Sequence, residues 1–297
     1  MYETMTKFAS CFENIILIED RIDVIYAHYT RLLADIKCFD ALLRRNRQWK
    51  YLINLCGEDF PLKTNYQMVK VLKGLLGQQS ITSSSTTRGK GMSLRFEKSY
   101  IPRQLINRRP SYFIPWSDWS GTKWWKSLGS NKMQSFPLGS EFPMFSGSAY
   151  NIFSRDFISW TVKNSTAQSV INWSRDTYSP DEWVWATLSR FNGAPDSFPP
   201  GKAFDVNVYN TLARIVKWQG NKNYPKCSGQ LQRHVCILGF NELGWLLRRK
   251  QLFANKFSTN NPDSEVAIQC LERALRKMEQ LEVCDKNVKI NQLHSLL

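Results

Sequence analysis

The sequence predicts an α/β fold, and three stretches near its start carry that prediction. Residues 14–18 (NIILI) are a short apolar run of strand length. Ile25, Tyr29, Leu32, Ile36, Phe39 and Leu43 follow at spacings of three or four, the stripe of an amphipathic helix. Residues 51–55 (YLINL) again read as a strand. Strand, long helix and strand make a βαβ unit, whose crossover leaves the two strands parallel.

Farther along, Met68, Val69, Leu72, Leu75 and Leu76 mark a shorter helix that stops near Gly77. Residues 78–138 then lose both periodicities. Ser and Thr clusters and scattered Arg lead into Trp116, Trp119, Trp124 and Trp125. So long a stretch without a pattern reads as an irregular, basic, Trp-rich insertion within one domain spanning 1–297. Order returns at residues 145–150 (FSGSAY), followed by a strand and a helix opening at Ser154. Asp263 or Ser264 caps a final helix that sets Ile268, Leu271, Leu275 and Met278 on one face.

A formal charge of +15 restricts partners to nucleic acid, an anionic membrane surface or a small phosphorylated substrate. Ten Lys and Arg between Arg88 and Lys132 stand against Glu97 and Asp118. The plain reading of that run is a solvated loop. Eleven Trp and seventeen Phe permit a carbohydrate partner without requiring one. No run approaches the roughly 18–20 apolar residues of a membrane helix, and the N-terminus lacks the basic and apolar regions of a signal peptide. Among seven cysteines, Cys227 and Cys236 bracket a short polar loop, the spacing of a local disulfide in a secretory protein. None of the three histidines pairs with Cys at zinc-site spacing, so no metal site is expected.

Chemistry concentrates in residues 173–185 (WSRDTYSPDEWVW). Ser179 at an N-cap, Pro180 at the first helical position and Glu182 three residues after Ser179 match a capping box. Alternatively, Asp181 and Glu182, flanked by Trp183 and Trp185, stand at the mouth of a sugar site, where a carboxylate takes the proton of an attacking hydroxyl. Spacing does not choose between these. Arg233 and Lys256 form a second candidate cluster, since a transferase without a metal neutralises a departing pyrophosphate with side-chain cations. The chain has no Asp-x-Asp, P-loop or GxGxxG. Asn164 and Asn172 open glycosylation sequons.

Five ordered stretches carry a family resemblance: WKYLINLCGEDFPLKTN (49–65), FSGSAY (145–150), DTYSPDE (176–182), VKW (216–218) and LFANKF (252–257). With them the chain resembles the core 2 and I-branching β-1,6-N-acetylglucosaminyltransferases from about residue 8 to 271. The resemblance implies a nucleotide-sugar glycosyltransferase (GT-A-like) fold, a mostly parallel sheet flanked by helices. It implies metal-independent, inverting transfer of GlcNAc from UDP-GlcNAc to the 6-hydroxyl of Gal or GalNAc on a glycoprotein glycan, in a Golgi type II membrane enzyme. Glu182 matches the family's base, Arg233 and Lys256 its donor-binding cations, and Trp218 an acceptor-site aromatic. No cofactor is expected.

The family's anchor and first nucleotide-binding strands have no counterpart in this chain, so membrane attachment is expected only through a segment outside it. Cys11, Cys38 and Cys270 match cysteines whose partners lie in that part; Cys56 matches a free thiol. Gly220 stands where the family usually has an aromatic, and the 78–138 stretch does not match the family's acceptor-binding pattern. A catalytically inactive form, acting at most as an interaction module, is the alternative. Nucleic-acid binding rests on charge and the Trp-rich insertion alone, and no such partner is expected.

Overall fold

A computed structural model describes residues 2–45, 47–85, 98–102, 125–131, 135–207 and 210–294. In chain order its elements are α1 (Tyr2–Ser10), α2 (Tyr29–Leu43), β1 (Tyr51–Ile53), β2 (Phe60–Pro61), α3 (Asn65–Gly74), β3 (Ser84–Ser85), β4 (Lys98–Pro102), β5 (Trp125–Asn131), β6 (Phe145–Ser146) and β7 (Ile152–Ser154). There follow α4 (Arg155–Lys163), α5 (Ser165–Trp173), α6 (Val184–Leu188), β8 (Arg214–Val216), β9 (Leu231–Gln232), β10 (Val235–Cys236), α7 (Leu243–Leu246), β11 (Phe253–Asn255) and α8 (Pro262–His294). The chain divides into two compact units. One comprises Met1–Trp49, Ser85–Ser146 and Arg155–Pro200; the other comprises Lys50–Ser84, Gly147–Ser154 and Gly201–Leu297.

The first unit is built on helix packing. His28 caps α2 by accepting from the Thr30 N–H, so the helix starts at Tyr29 and leaves Ile25 outside it. The stripe of α2 buries Leu32 and Phe39, and the helix packs against α4 and the turns before α6. Phe157 and Ile158 of α4, Val170 and Ile171 of α5, and Val184, Trp185 and Leu188 of α6 are fully buried. Each such side chain contributes roughly 1.5–3 kcal/mol. Phe39 and Trp185 meet at 5.4 Å between ring centroids.

That packing overturns the βαβ expectation. The stripe of α2 is used against helices rather than to cover a sheet. Residues 15–18 are not a strand: the Ile15 N–H turns back to the Phe12 carbonyl, and no ladder partner for them exists among the described residues. The strand at 51–53 pairs instead with β7, antiparallel, Leu52 opposite Phe153. The 78–138 stretch is not wholly irregular either, since β4 and β5 pair antiparallel with a bulge between Lys98 and Tyr100. Trp116, Trp119, Trp124 and eight of its ten basic residues lie outside the described residues; Lys98 and Lys126 lie in the paired strands.

The second unit holds small mixed sheets rather than a mostly parallel one. Strand β11 is central, antiparallel to β2 and parallel to β8, with Ala254 opposite Phe60 and Ile215. Alternation along β11 feeds two cores. Ala254 joins Leu62, Ile215, Leu238, Phe257, Ala267 and Leu271, whereas Phe253 packs against Ile152, Ala213 and Leu252. Thr64 and Gln67 form a reciprocal capping box on α3, and the Thr64 hydroxyl donates to Glu282 at 2.8 Å. Helix α8 brings in Ala267, Leu271 and Leu275. Its cap is Asn261, whose side chain accepts from the Ser264 N–H at 3.0 Å. Pro262 takes the first helical position, where a missing N–H costs nothing, so neither Asp263 nor Ser264 is the cap.

Candidate functional site

Glu182 lies in the first unit, on a 3₁₀ turn (Pro180–Glu182) that enters α6. The capping box, one of the two readings of this spacing, does not form. Ser179 adopts a left-handed conformation, φ 50° and ψ 58°, and makes no side-chain cap bond. A cap residue needs extended backbone to aim its hydroxyl at the first turn. Ser179 is instead held by its N–H donating to the Ala27 carbonyl at 2.8 Å. The turn closes through the Glu182 N–H to the Ser179 carbonyl and the Trp183 N–H to the Pro180 carbonyl. Upstream, Asp176 accepts from the Ser99 hydroxyl at 2.5 Å, and Tyr178 meets Tyr100 edge-on.

The turn alternates inward and outward. Glu182 is half-buried, between Asp181 at 8% exposure and Trp183 at 1%. Trp183 packs edge-on against Trp173 and beside Phe136, and Trp185 is fully buried. These indoles are core, not walls of a sugar site. Their volume fills the space under the turn, leaving Glu182 as its outward carboxylate. Asp181 Oδ1 has no hydrogen-bond partner. Burial first, then the charges of Glu182 and Asp35, push its pKa up to about 7, against the lowering effect of Arg31.

Trp218, Arg233 and Lys256 lie in the second unit, which brings them onto one strand edge. Past β8, the Lys217 carbonyl accepts from the Cys236 N–H, and the Gln219 N–H donates to the His234 carbonyl. Trp218 thereby bridges Val235 and stays 45% exposed. Strands β9 and β10 form a hairpin turned by Arg233 and His234, at φ 55° and 60°. Two left-handed central residues match the twist of a tight hairpin, at about 1–3 kcal/mol each for non-glycine residues. Past β11, the Lys256 carbonyl accepts from the Leu238 N–H. The Lys256 ammonium lies 2.8 Å from Glu58 and 3.2 Å from the Gln232 side chain, next to Arg233.

Two devices hold this edge. The Cys227–Cys236 disulfide forms, with Cα atoms 5.6 Å apart, and straddles the Arg233 hairpin. Lys217 and Glu242 pair at 3.0 Å with side chains 3% and 1% exposed. Glu242 also accepts from the Ser228 N–H and hydroxyl and the Gly239 N–H. Burial opposes its ionisation, but the donors from Ser228, Lys217 and Gly239 outweigh burial and lower its pKa. The one grouping with metal-ligand spacing among the described residues is Cys227, Cys236 and Glu242; its sulfurs are bonded to each other and its carboxylate is already fully engaged.

Beyond β1, Cys56 is a half-buried free thiol, raised in pKa chiefly by burial. Cys11, Cys38 and Cys270 are free. Asn164 caps α5, its carbonyl oxygen accepting from the Thr166 and Ala167 N–H groups. Asn172 is exposed on the same helix, while Ser174 of its sequon is buried and donates to the Ile171 carbonyl. Gln232 and Glu242 had no sequence signal, because each acts through a contact distant along the chain, and Glu58 was legible only as part of the 49–65 motif. Lys217 stands inside the VKW motif and was legible only as part of it.

Among the described residues no helix is long and apolar enough to cross a membrane. A family model described as Core-2/I-Branching enzyme matches residues 1–247. Human beta-1,3-galactosyl-O-glycosyl-glycoprotein beta-1,6-N-acetylglucosaminyltransferase is 38% identical over 276 residues, covering 90% of this chain and 58% of its own length. The human relative with the same name numbered 3 is 36% identical over 281 residues, covering 92% of this chain and 58% of its own length. The mouse relative of that name gives the same figures. The chain therefore spans 58% of the length of these relatives.

Proposed function

The chain belongs to the Core-2/I-branching enzyme family, and from that membership we propose that it carries catalytic residues of a β-1,6-N-acetylglucosaminyltransferase of O-glycans. The donor is UDP-GlcNAc and the acceptor a Gal or GalNAc 6-hydroxyl on a glycoprotein glycan. The setting is the Golgi lumen. The observation that carries the reading is that Trp218 bridges Val235 beside the hairpin turned by Arg233, while Lys256 bonds to Gln232 of the same hairpin.

In this reading transfer is one inverting displacement. Glu182 takes the proton of the acceptor 6-hydroxyl as its oxygen bonds to the anomeric carbon. The bond from that carbon to the UDP oxygen breaks, and its electron pair leaves on the β-phosphate. Arg233 and Lys256 offset the negative charge that develops there, which lets the reaction proceed without a divalent metal. By analogy with glycosidases the transition state is oxocarbenium-like. Exposed Trp218 offers a ring face to the acceptor sugar. The disulfide suits an oxidising lumen.

Radiolabelled UDP-GlcNAc and a β-1,3-galactosyl-GalNAc acceptor test the proposal directly. Transfer of label into a β-1,6 branch is expected, and it should persist in excess EDTA. Absence of any branched product defeats the reading, and loss of activity in EDTA defeats its metal-independent form.

A further inference from the structure

Asp181 is the one buried carboxylic acid of the Glu182 turn, and the reaction above gives it no task. Its surroundings are unusual for a carboxylate. It is 8% exposed, with Oδ1 lacking any hydrogen-bond partner. Arg31, the cation whose charge lowers its pKa, is already bound to Asp35 at 2.7 Å. A buried carboxylate with one oxygen lacking a donor is costly, whereas a neutral carboxyl there costs far less.

The other charges around the turn reinforce this. Helix α2 presents Arg31 and Asp35, and His28 is its cap. The 3₁₀ turn Ser174–Asp176 presents Arg175 and Asp176, the latter engaged by Ser99. Helix α6 carries no titratable side chain. Burial shifts His28 toward its neutral form. Arg31 is paired with Asp35 and Arg175 lies over the Tyr29 ring, while Asp35 and Glu182 both add negative charge around Asp181.

We propose that Asp181 is a positioning residue for Glu182: it keeps its proton, so the turn carries one negative charge, on Glu182, and stays seated against α2. Neighbouring carboxylates pushed apart in this way divide acid and base roles. The proposal rests on the reading of Glu182 as base. Ionisation of Asp181 places a second negative charge beside that base and draws the buried turn toward water. The supporting titration lies at about 7, so transfer should fall as pH rises above that point.

Two measurements decide it. The first is urea unfolding of the whole chain and of Asp181→Asn between about pH 4 and pH 8. A carboxyl with a raised folded pKa destabilises the fold progressively as pH rises from its unfolded value near 3.9 to its folded value, and no further beyond. The folding equilibrium constant of the wild type should therefore drop relative to Asp181→Asn across that window, by tens-fold to about 10³-fold. Parallel profiles overturn the proposal.

The second is the pH profile of transfer. The wild type should lose rate above about pH 7, and Asp181→Asn, a neutral isostere, should keep its plateau. Asp181→Ala, which also removes packing, should unfold more easily, and Asp181→Asn should restore that stability. The same alkaline limb in Asp181→Asn overturns the coupling to Glu182. The unfolding arm needs no turnover. Failure of the base reading, seen as undiminished transfer by Glu182→Gln, is thus distinguishable from failure of the Asp181 proposal.

Discussion

Lys256 Nζ lies 2.8 Å from Glu58 Oε2, so a cation assigned to the donor phosphates is already paired with a carboxylate. Glu58 is 44% exposed at its side chain and Lys256 13%, which places the pair near the surface and limits its worth to about 0.2–1 kcal/mol. A pyrophosphate can outcompete such a partner. Lys256→Ala should weaken UDP binding by about 10–150-fold, the value of a charged hydrogen bond of about 1.5–3 kcal/mol. Glu58→Gln should strengthen it about twofold to fivefold by removing the competitor. Calorimetry with UDP checks both, and an unchanged affinity in Lys256→Ala removes that residue from the donor site.

The disulfide gives a second prediction. Cys227 and Cys236 are nine residues apart, and closing so short a loop in the unfolded chain is worth about 2–3 kcal/mol. Cys227→Ser with Cys236→Ser should lower stability by that amount in urea unfolding. It should also weaken UDP binding, because the hairpin loses the tie that holds Arg233 and His234 in left-handed backbone. A stability loss with unchanged UDP affinity separates the disulfide from the site.

A third prediction concerns the buried Lys217–Glu242 pair. Glu242→Gln leaves a Lys that is 3% exposed without its counter-charge, at about 3–5 kcal/mol. The pH dependence has a definite sign. Glu242 is depressed in the fold, so its stabilisation is present above its unfolded pKa of about 4.3 and is lost as pH falls through the folded value. Acid unfolding of the wild type should steepen in that range, and Glu242→Gln should lack the component. Identical acid profiles contradict the assignment.

The sequence made some of this legible and hid the rest for physical reasons. Thr64–Gln67 and Ser179–Glu182 share one capping pattern, yet only the first forms a box. The difference is set by Ala27, whose carbonyl holds the Ser179 N–H from 152 positions away in sequence. Likewise the antiparallel partner of Leu52 is Phe153, a non-local choice that apolar runs do not encode. Local periodicity did locate α2, α3 and the apolar face of α8. The motifs holding Trp218 and Lys256, with the Cys227–Cys236 loop holding Arg233, led to residues that the second unit places on one edge. Trp183 and Trp185 misled because a large aromatic fills a core as readily as it faces a sugar.

The central claim is that Glu182 is the base, and one comparison tests it most directly. Transfer of GlcNAc and binding of UDP should be measured side by side for the wild type and Glu182→Gln. Since Ser179 makes no side-chain cap bond, the substitution removes no capping box, and the fold should tolerate it. Turnover should fall about 10²–10⁴-fold with UDP affinity nearly unchanged. Turnover within a few-fold of the wild type would contradict the claim.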